Sequence, residues 1–390
     1  MSTNKEILLV TNYFPPERGA APNRMYAMAE GFQKRGYSVT VVCPMPNYPE
    51  GEIFKAFRGK LSAKEETKIA TIHRLWIWPS KSQNKLVRLL SMSSFAFSLK
   101  LFFLFKKTPK TVFIQYSPIF VGTTAIMWTW ILGKKRMLNV SDLWPLAGLE
   151  MGIFTKGLYY SILERMEKFC YRKSNLVVGQ SEEILTHVKK VSTSTHTLLY
   201  RNVPNFPLPK LREETKVNNT VSIVYAGLLG MAQGMASILQ GLKLPDHCEL
   251  HVYGGGPEAE AIRALEHPQI HYYGEVTRDE LHAKLADYDV AFIPLVNRIY
   301  GSVPSKIFEY TRLGLPVLYY AGGEGGALVD QHQLGWTIPV GNEAALQQWM
   351  DKVSREKLLT FPKKKIQGRT AAAFNFEDQF NTLVAHIEKL

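Results

Sequence analysis

Short apolar runs recur along the chain, each followed by a polar loop and then by a stretch with apolar residues at helical spacing. In the first half these runs are Ile7 to Thr11, Val39 to Cys43, Thr111 to Tyr116, Met137 to Val140 and Leu176 to Gly179. Runs that are apolar throughout predict strands covered on both faces, and their alternation with helices predicts a parallel sheet. After a polar, proline-bearing segment from Arg201 to Asn219, the rhythm restarts with Ser222 to Ala226, Glu249 to Tyr253, Ile270 to Tyr273, Val290 to Pro294 and Pro316 to Tyr319. The fold class is therefore α/β, with a second doubly wound domain following the first.

Length agrees with this division, since 390 residues exceed what one ordinary hydrophobic core supports. A hydrophobic fraction of 46% with 21% charged residues excludes extensive disorder and a polytopic membrane protein. The uncharged stretch from Thr111 to Leu132 is long enough to suggest a membrane span, but Pro118 and Gly122 divide it into a strand and a following helix. Ile7 to Thr11 is too brief for the apolar core of a signal peptide and reads as a first buried strand. Cys43, Cys170 and Cys248 are scattered and odd in number, which argues against a disulfide framework or a cysteine zinc site and for a reducing cytoplasm.

Charge sharpens the picture. Residues 1–200 hold 28 lysines and arginines against 13 acids, whereas 201–390 hold 19 against 21. The first domain is thus built to face a polyanionic partner, a nucleic acid or an anionic lipid surface. Ser80 to Lys110 carries Lys81, Lys85, Arg88, Lys100, Lys106, Lys107 and Lys110, no acid, and an apolar series running from Leu86 to Phe105. This is the pattern of a helix lying in a membrane interface; the plain alternative is a packed helix with a solvated basic face. The clustering of Phe95, Phe97, Phe102, Phe103 and Phe105 suits lipid better than nucleic acid, for which basic and aromatic residues should interleave on exposed strands.

Candidate chemistry lies where predicted strands end. The first strand opens into a loop from Asn12 to Arg24, whose Gly19, Ala20 and Ala21 let backbone N–H groups approach a ligand; Asn23 and Arg24 close it before a helical pattern through Met25, Ala29 and Phe32. Asp142, with Trp144 beside it, should project from the carboxyl edge of the first sheet; the alternative is that Asp142 caps the next helix. In the second domain three glycine turns follow strands: Gly227 to Gly234, including Gly230 and Gln233; Gly254 to Gly256; and Gly274 to Val276. Val303 to Tyr310 is the strongest element. Ser305 is a plausible N-cap, Lys306 supplies a positive charge, and Glu309 offers a carboxylate able to accept hydrogen bonds from a ribose diol, although such a pair is more often a surface ion pair.

Taken in order, Tyr13 to Ala21, Pro46 to Gly51, Asp142 to Pro145 and Pro304 to Tyr310 resemble the family 4 retaining glycosyltransferases over nearly the whole chain. The subgroup resembled includes proposed N-acetyl-L-fucosamine transferases of O-antigen and capsule assembly. The resemblance implies a GT-B architecture, two Rossmann-like domains facing each other across a cleft. The acceptor-binding domain would be residues 1–205, completed by 372–390, and the nucleotide-sugar domain 206–371. It also implies a UDP-sugar donor, a lipid-linked (polyprenyl diphosphate) saccharide acceptor and a place at the inner face of the cell membrane.

By the same resemblance, Glu309 binds the ribose and the turn ending at Val276 the base. Gly19, Gly230, Gln233, Gly234, Gly254, Gly256, Ser305 and Lys306 meet the phosphates and the transferred sugar, and Asp142 lies near the reacting centre. Asn23, Arg24, Trp144, Lys81, Lys85, Arg88 and Lys100 fall to the acceptor and membrane side. The chain departs from the broader pattern in having Gly301 at the first position of the usual Glu-x7-Glu pair, and no Arg or Lys between Gly227 and Gly234. Lys306 is expected to take over phosphate neutralisation. No Asp-x-Asp metal site is present, so no metal and no cofactor are expected. A nucleotide-sugar epimerase and a non-catalytic scaffold of the same fold are the alternatives.

Overall fold

The computed structural model describes residues 5–48, 51–82, 84–208 and 220–390, without the side chains of 85, 86, 88 and 89. It divides into two compact units, one of Met1–Arg201 with Phe380–Leu390 and one of Asn202–Gln379.

The strands of the first unit are β1 (Glu6–Val10), β2 (Ser38–Pro44), β3 (Ser62–Glu66), β4 (Thr71–Leu75), β5 (Thr111–Gln115), β6 (Lys135–Val140), β7 (Leu176–Gly179) and β8 (Thr197–Leu199). They form one sheet in the order β3-β4-β2-β1-β5-β6-β7-β8, parallel except where β3 runs against β4. Its helices are α1 (Ala20–Gln33), α2 (Lys85–Phe105), α3 (Ile119–Ile131), α4 (Leu146–Glu150), α5 (Leu158–Lys173) and α6 (Glu182–Val191). The strand order reverses direction after β4, so right-handed crossovers place α1 on one face and α2, α3 and α5 on the other. There α2 packs beside α3, and α3 beside α5.

In the second unit β9 (Val221–Ala226), β10 (Cys248–Tyr253), β11 (Ile270–Gly274), β12 (Val290–Pro294), β13 (Val317–Tyr320) and β14 (Gly335–Ile338) form a wholly parallel sheet ordered β11-β10-β9-β12-β13-β14. This is the doubly wound order, with the switch point between β9 and β12, where ligands of such sheets bind at the carboxyl ends. Its helices are α7 (Met235–Gly241), α8 (Ala259–Arg263), α9 (Arg278–Leu285), α10 (Lys306–Arg312), α11 (Glu324–Gln331), α12 (Glu343–Lys352), α13 (Arg355–Leu358) and α14 (Lys363–Ala373). Leu250 and Val252 of β10 pack into a core shared with Leu239, Trp349 and Met350. The last helix, α15 (Phe376–Lys389), sets Phe380 on Gly31 and Phe32 of α1. A Cβ at Gly31 would come within 2.4 Å of the Phe380 ring, so the close approach requires glycine there.

All ten apolar runs are strands. The structure adds four that the pattern did not mark. β3 and β4 form an antiparallel edge hairpin rich in charge. Arg74 of β4 is buried because Glu65 pairs with it at 2.5 Å and the Pro15 carbonyl accepts from it at 2.6 Å. β8 and β14 are edge strands of three and four residues, too short to show a period.

Candidate functional site

At the carboxyl edge of the first sheet, the loop after β1 is organised by Glu17. This buried carboxylate accepts from the backbone N–H groups of Phe14 (3.2 Å), Asn47 (3.0 Å) and Tyr48 (3.0 Å), tying the loop before Gly19 to the Pro46 segment. Burial pushes the Glu17 carboxyl up, against those three donors and Arg74. Of the Pro46 to Gly51 segment, positions 49 and 50 lie outside the described residues. Gly19 precedes α1 at φ 125°, a conformation that side chains disfavour.

Behind Gly19, Arg24 donates to Gln180 at 3.4 Å, and Gln180 donates in turn to the Ser141 carbonyl at 2.6 Å. Arg24 Nε is buried without a partner among the described residues. Burial lowers the Arg24 pKa against the attraction of Asp142. Asp142 is solvent-accessible, and partial desolvation raises its carboxyl against Arg24. The alternative role for Asp142 is excluded, because α4 begins after Pro145 with no side-chain cap. Trp144 is half-buried against Phe154, its carbonyl held by the Tyr116 hydroxyl at 2.8 Å, and Asn23 is exposed.

In the second unit the glycine turns converge on the end of β9. Gly227 N–H donates to Tyr253 O at 2.9 Å and Gly254 N–H to Gly274 O at 2.7 Å. A Cβ on Gly254 would lie 1.9 Å from Gly227 O, and one on Gly256 2.5 Å from Leu229 O. These turns stack as bare backbone. Gln233 folds back to accept from Gly230 N–H at 3.2 Å, and Gly234, at φ 61°, starts α7.

Lys306 lies across Gly227, so close that a Cβ there would meet its Cε at 2.4 Å. Its ammonium donates to the Tyr225 hydroxyl at 2.9 Å. Burial pulls its pKa from the ordinary 10.5 down to about 8, with Glu309 acting in the other direction. Tyr310, one turn on, fixes this placement. Its hydroxyl donates to Ala226 O (2.6 Å) and accepts from Ala226 N–H (2.9 Å), locking α10 to the end of β9. Ser305 does precede α10, but it has helical backbone angles and makes no side-chain cap bond, so its expected capping role is corrected.

Glu309 is half-buried, and its Oε1 receives His282 at 2.7 Å and Arg278 at 3.4 Å. Burial alone would raise this carboxyl; the His282 hydrogen bond and the positive charge of Arg278 outweigh it and hold it below the ordinary range. Val276 stands two residues before Arg278, at the start of α9. No role for His282, Arg278 or Tyr225 is legible in the sequence, and Glu17 lies inside the Tyr13 to Ala21 motif without a role of its own; their partners Glu309, Lys306 and Asn47 are distant in the chain, so no local pattern signals them.

On the helical side, Lys100 is exposed with its ammonium 5.8 Å from the Trp128 ring, and Lys81 pairs with Glu52 at 3.0 Å. The side chains of Lys85 and Arg88 lie outside the described residues. One face of α2 is buried through Phe95, Leu99, Phe102 and Phe103, while Leu90, Phe97, Leu101 and Leu104 form an exposed stripe. Among the described residues no helix is long and apolar enough to cross a membrane.

Two doubly wound sheets with bare glycine turns on the second define the GT-B fold. Residues 221–355, most of the second unit, match the family described as glycosyl transferases group 1. Over 259 residues the chain is 26% identical to a probable glycosyltransferase WbjE of Pseudomonas aeruginosa, a match spanning 61% of this chain and 64% of that one. Sucrose-phosphate synthase of Thermosynechococcus elongatus superposes with a TM-score of 0.74 at 14% identity, covering 99% of both chains. Anabaena HepE, solved in complex with UDP and glucose, superposes with a TM-score of 0.67 at 13% identity, covering 99% of this chain and 100% of that one.

Proposed function

We propose that the protein is a retaining glycosyltransferase that moves a sugar, an N-acetylated hexosamine or deoxyhexosamine, from a UDP-sugar to a lipid-linked saccharide in cell-surface polysaccharide assembly. This places it beside the fucosamine transferases that its motifs resemble. The observation that carries the reading is Lys306, a desolvated ammonium laid over Gly227 at the sheet's switch point, one turn before an ionised Glu309.

The demanding step is departure of the nucleotide diphosphate, as negative charge builds on it and the sugar ring gains oxocarbenium character. Groups already oriented toward that charge lower the barrier because they need no reorganisation. Lys306 supplies the charge that the Gly227 to Gly234 loop lacks, and the glycine turns bring backbone close without side-chain obstruction. Both contacts of Glu309 go to Oε1, and among the described residues no hydrogen bond reaches Oε2, which is left for the ribose diol. Neutralisation by lysine makes transfer independent of metal. Attack on the same face of the sugar, with the leaving phosphate helping to deprotonate the acceptor hydroxyl, gives retention without an enzyme nucleophile. In the first unit Asp142 serves the reacting centre, and Asn23, Arg24 and Trp144 serve the acceptor.

The membrane contact belongs to α2, α3 and α5. The stripe on α2 continues through Met127, Trp130 and Ile131 of α3 to Leu158 and Ile162 of α5, all exposed, with Lys100, Lys106, Lys107 and Lys173 around them. Apolar side chains ringed by lysines suit the headgroup boundary of an anionic leaflet, at the inner face of the cell membrane.

The decisive experiment measures UDP release from a panel of UDP-sugars with a polyprenyl-diphosphate saccharide, with and without chelator. Lys306→Ala should raise the donor KM or lower kcat by an amount worth about 1.5–3 kcal/mol, the size of a charge-assisted hydrogen bond. Wild-type kinetics in that variant would refute the role of Lys306. Binding of UDP-sugar without any UDP release with lipid-linked acceptors would favour a non-catalytic scaffold.

A further inference from the structure

Away from the glycine turns, the second sheet carries a group of side chains that the transfer reaction does not use. Glu249 and His251 are two residues apart on β10 and so share a face, opposite to core residues Leu250 and Val252. His271 on β11 stands directly across from His251 in the parallel register, and the two imidazole rings are 4.9 Å apart. One donor atom from each of the three residues falls within 4.8 Å of the others. Glu249 Oε2 is 3.4 Å from His251 Nε2 and 4.0 Å from His271 Nε2.

We propose that Glu249, His251 and His271 form a binding site for a borderline divalent transition cation, Zn²⁺ above all, that staples edge strand β11 to β10. Two imidazoles and a carboxylate are a zinc ligand set, and bonds of about 2.0–2.1 Å at tetrahedral angles put ligand atoms about 3.3 Å apart. The Glu249 oxygen already lies near that spacing from both imidazoles, at 3.4 and 4.0 Å, and rotation of partly exposed His271 can close the rest. His251 is further prepared by its other ring nitrogen, which lies 3.0 Å from the Tyr273 hydroxyl; such a partner fixes the tautomer and the ring orientation of a ligating histidine. Tyr273 is itself held by stacking on Tyr253 at 4.6 Å. The side chains of Glu249 and His271 are 43% and 37% exposed, which leaves an entry path and a fourth position for water.

The consequence is mechanical. β11 has a neighbour on one side only, and it ends in Gly274, whose carbonyl holds Gly254 N–H. A cation bridging β10 and β11 would stiffen that turn without entering the transfer chemistry, so this inference stands apart from the metal-independent reaction proposed above.

The test titrates Zn²⁺ into the metal-stripped, untagged full chain by calorimetry, with Co²⁺ absorption and Tm as further readouts. One equivalent is expected to bind and raise Tm, and Co²⁺ to show the intense visible bands of a tetrahedral site. Glu249→Gln keeps the shape of the side chain and His271→Ala alters an exposed edge; each should weaken Zn²⁺ binding by roughly tenfold or more while matching the wild-type Tm in chelator. Absence of stoichiometric binding to the wild type, or undiminished binding in either variant, overturns the proposal.

Discussion

A lysine whose pKa sits near 8 changes charge within the working range of most enzymes, and this gives Lys306 a signature of its own. A bound diphosphate favours the ammonium, so donor binding draws a proton onto Lys306 when the pH exceeds about 8. The donor KM should therefore be flat below that pH and rise above it, approaching tenfold per pH unit; in Lys306→Met, which cannot titrate, the rise should vanish. Stability moves the other way. The folded pKa lies below the ordinary 10.5, so between about 8 and 10.5 the unfolded chain binds more protons, and this group's contribution to stability increases with pH. At pH 7 the ligand-free protein carries a desolvated charge that methionine would relieve. Thermal melts should place Lys306→Met above the wild type by roughly 2–4 °C, the shift that about 1 kcal/mol produces in a domain of this size. A Tm below that of the wild type would show that its contacts with Tyr225 outweigh desolvation.

At the scale of elements, α2 divides its apolar residues between two tasks. Those facing the sheet are buried, and those at Leu90, Phe97, Leu101 and Leu104 recur at helical spacing on the opposite side. Replacing Phe97 and Leu101 together by Asp should weaken sedimentation with vesicles of anionic phospholipid by about tenfold or more, with circular dichroism unchanged, because neither is in the core. Equal sedimentation of the double variant would place the lipid contact elsewhere.

How much could be read from the sequence follows the same division. Strands buried on both faces announce themselves as unbroken apolar runs, and the α/β alternation follows from them. The β3–β4 hairpin stays hidden because its buried member holds an arginine, which is satisfied by Glu65, by Cys43 Sγ and by the distant Pro15 carbonyl. Lys306 and Glu309 can be named from their motif. What positions them is Tyr310 against Ala226 and His282 against Glu309, contacts across 84 and 27 residues of chain that no local pattern encodes.

For the whole molecule, the two units are unequal in how they are threaded. The second is a continuous segment, while the first is assembled from two segments separated by it. Phe380 joins those segments by packing edge-on to Phe32 at 4.9 Å, and Lys5 meets Glu388 at 2.6 Å. Phe380→Ala should cost about 3–5 kcal/mol in the first unit, the range for truncating a buried phenylalanine. Calorimetry should then resolve an early transition belonging to that unit alone, and a single unshifted transition would contradict the assignment.

That threading has a consequence during synthesis. The ribosome finishes residues 1–201 and then the whole second unit before it delivers the residues that close the gap over Gly31 and Phe32. Until then the patch of α1 that Phe380 covers stays bare, so the newborn chain passes through a sticky, half-built state that lasts at least as long as translation of the second unit.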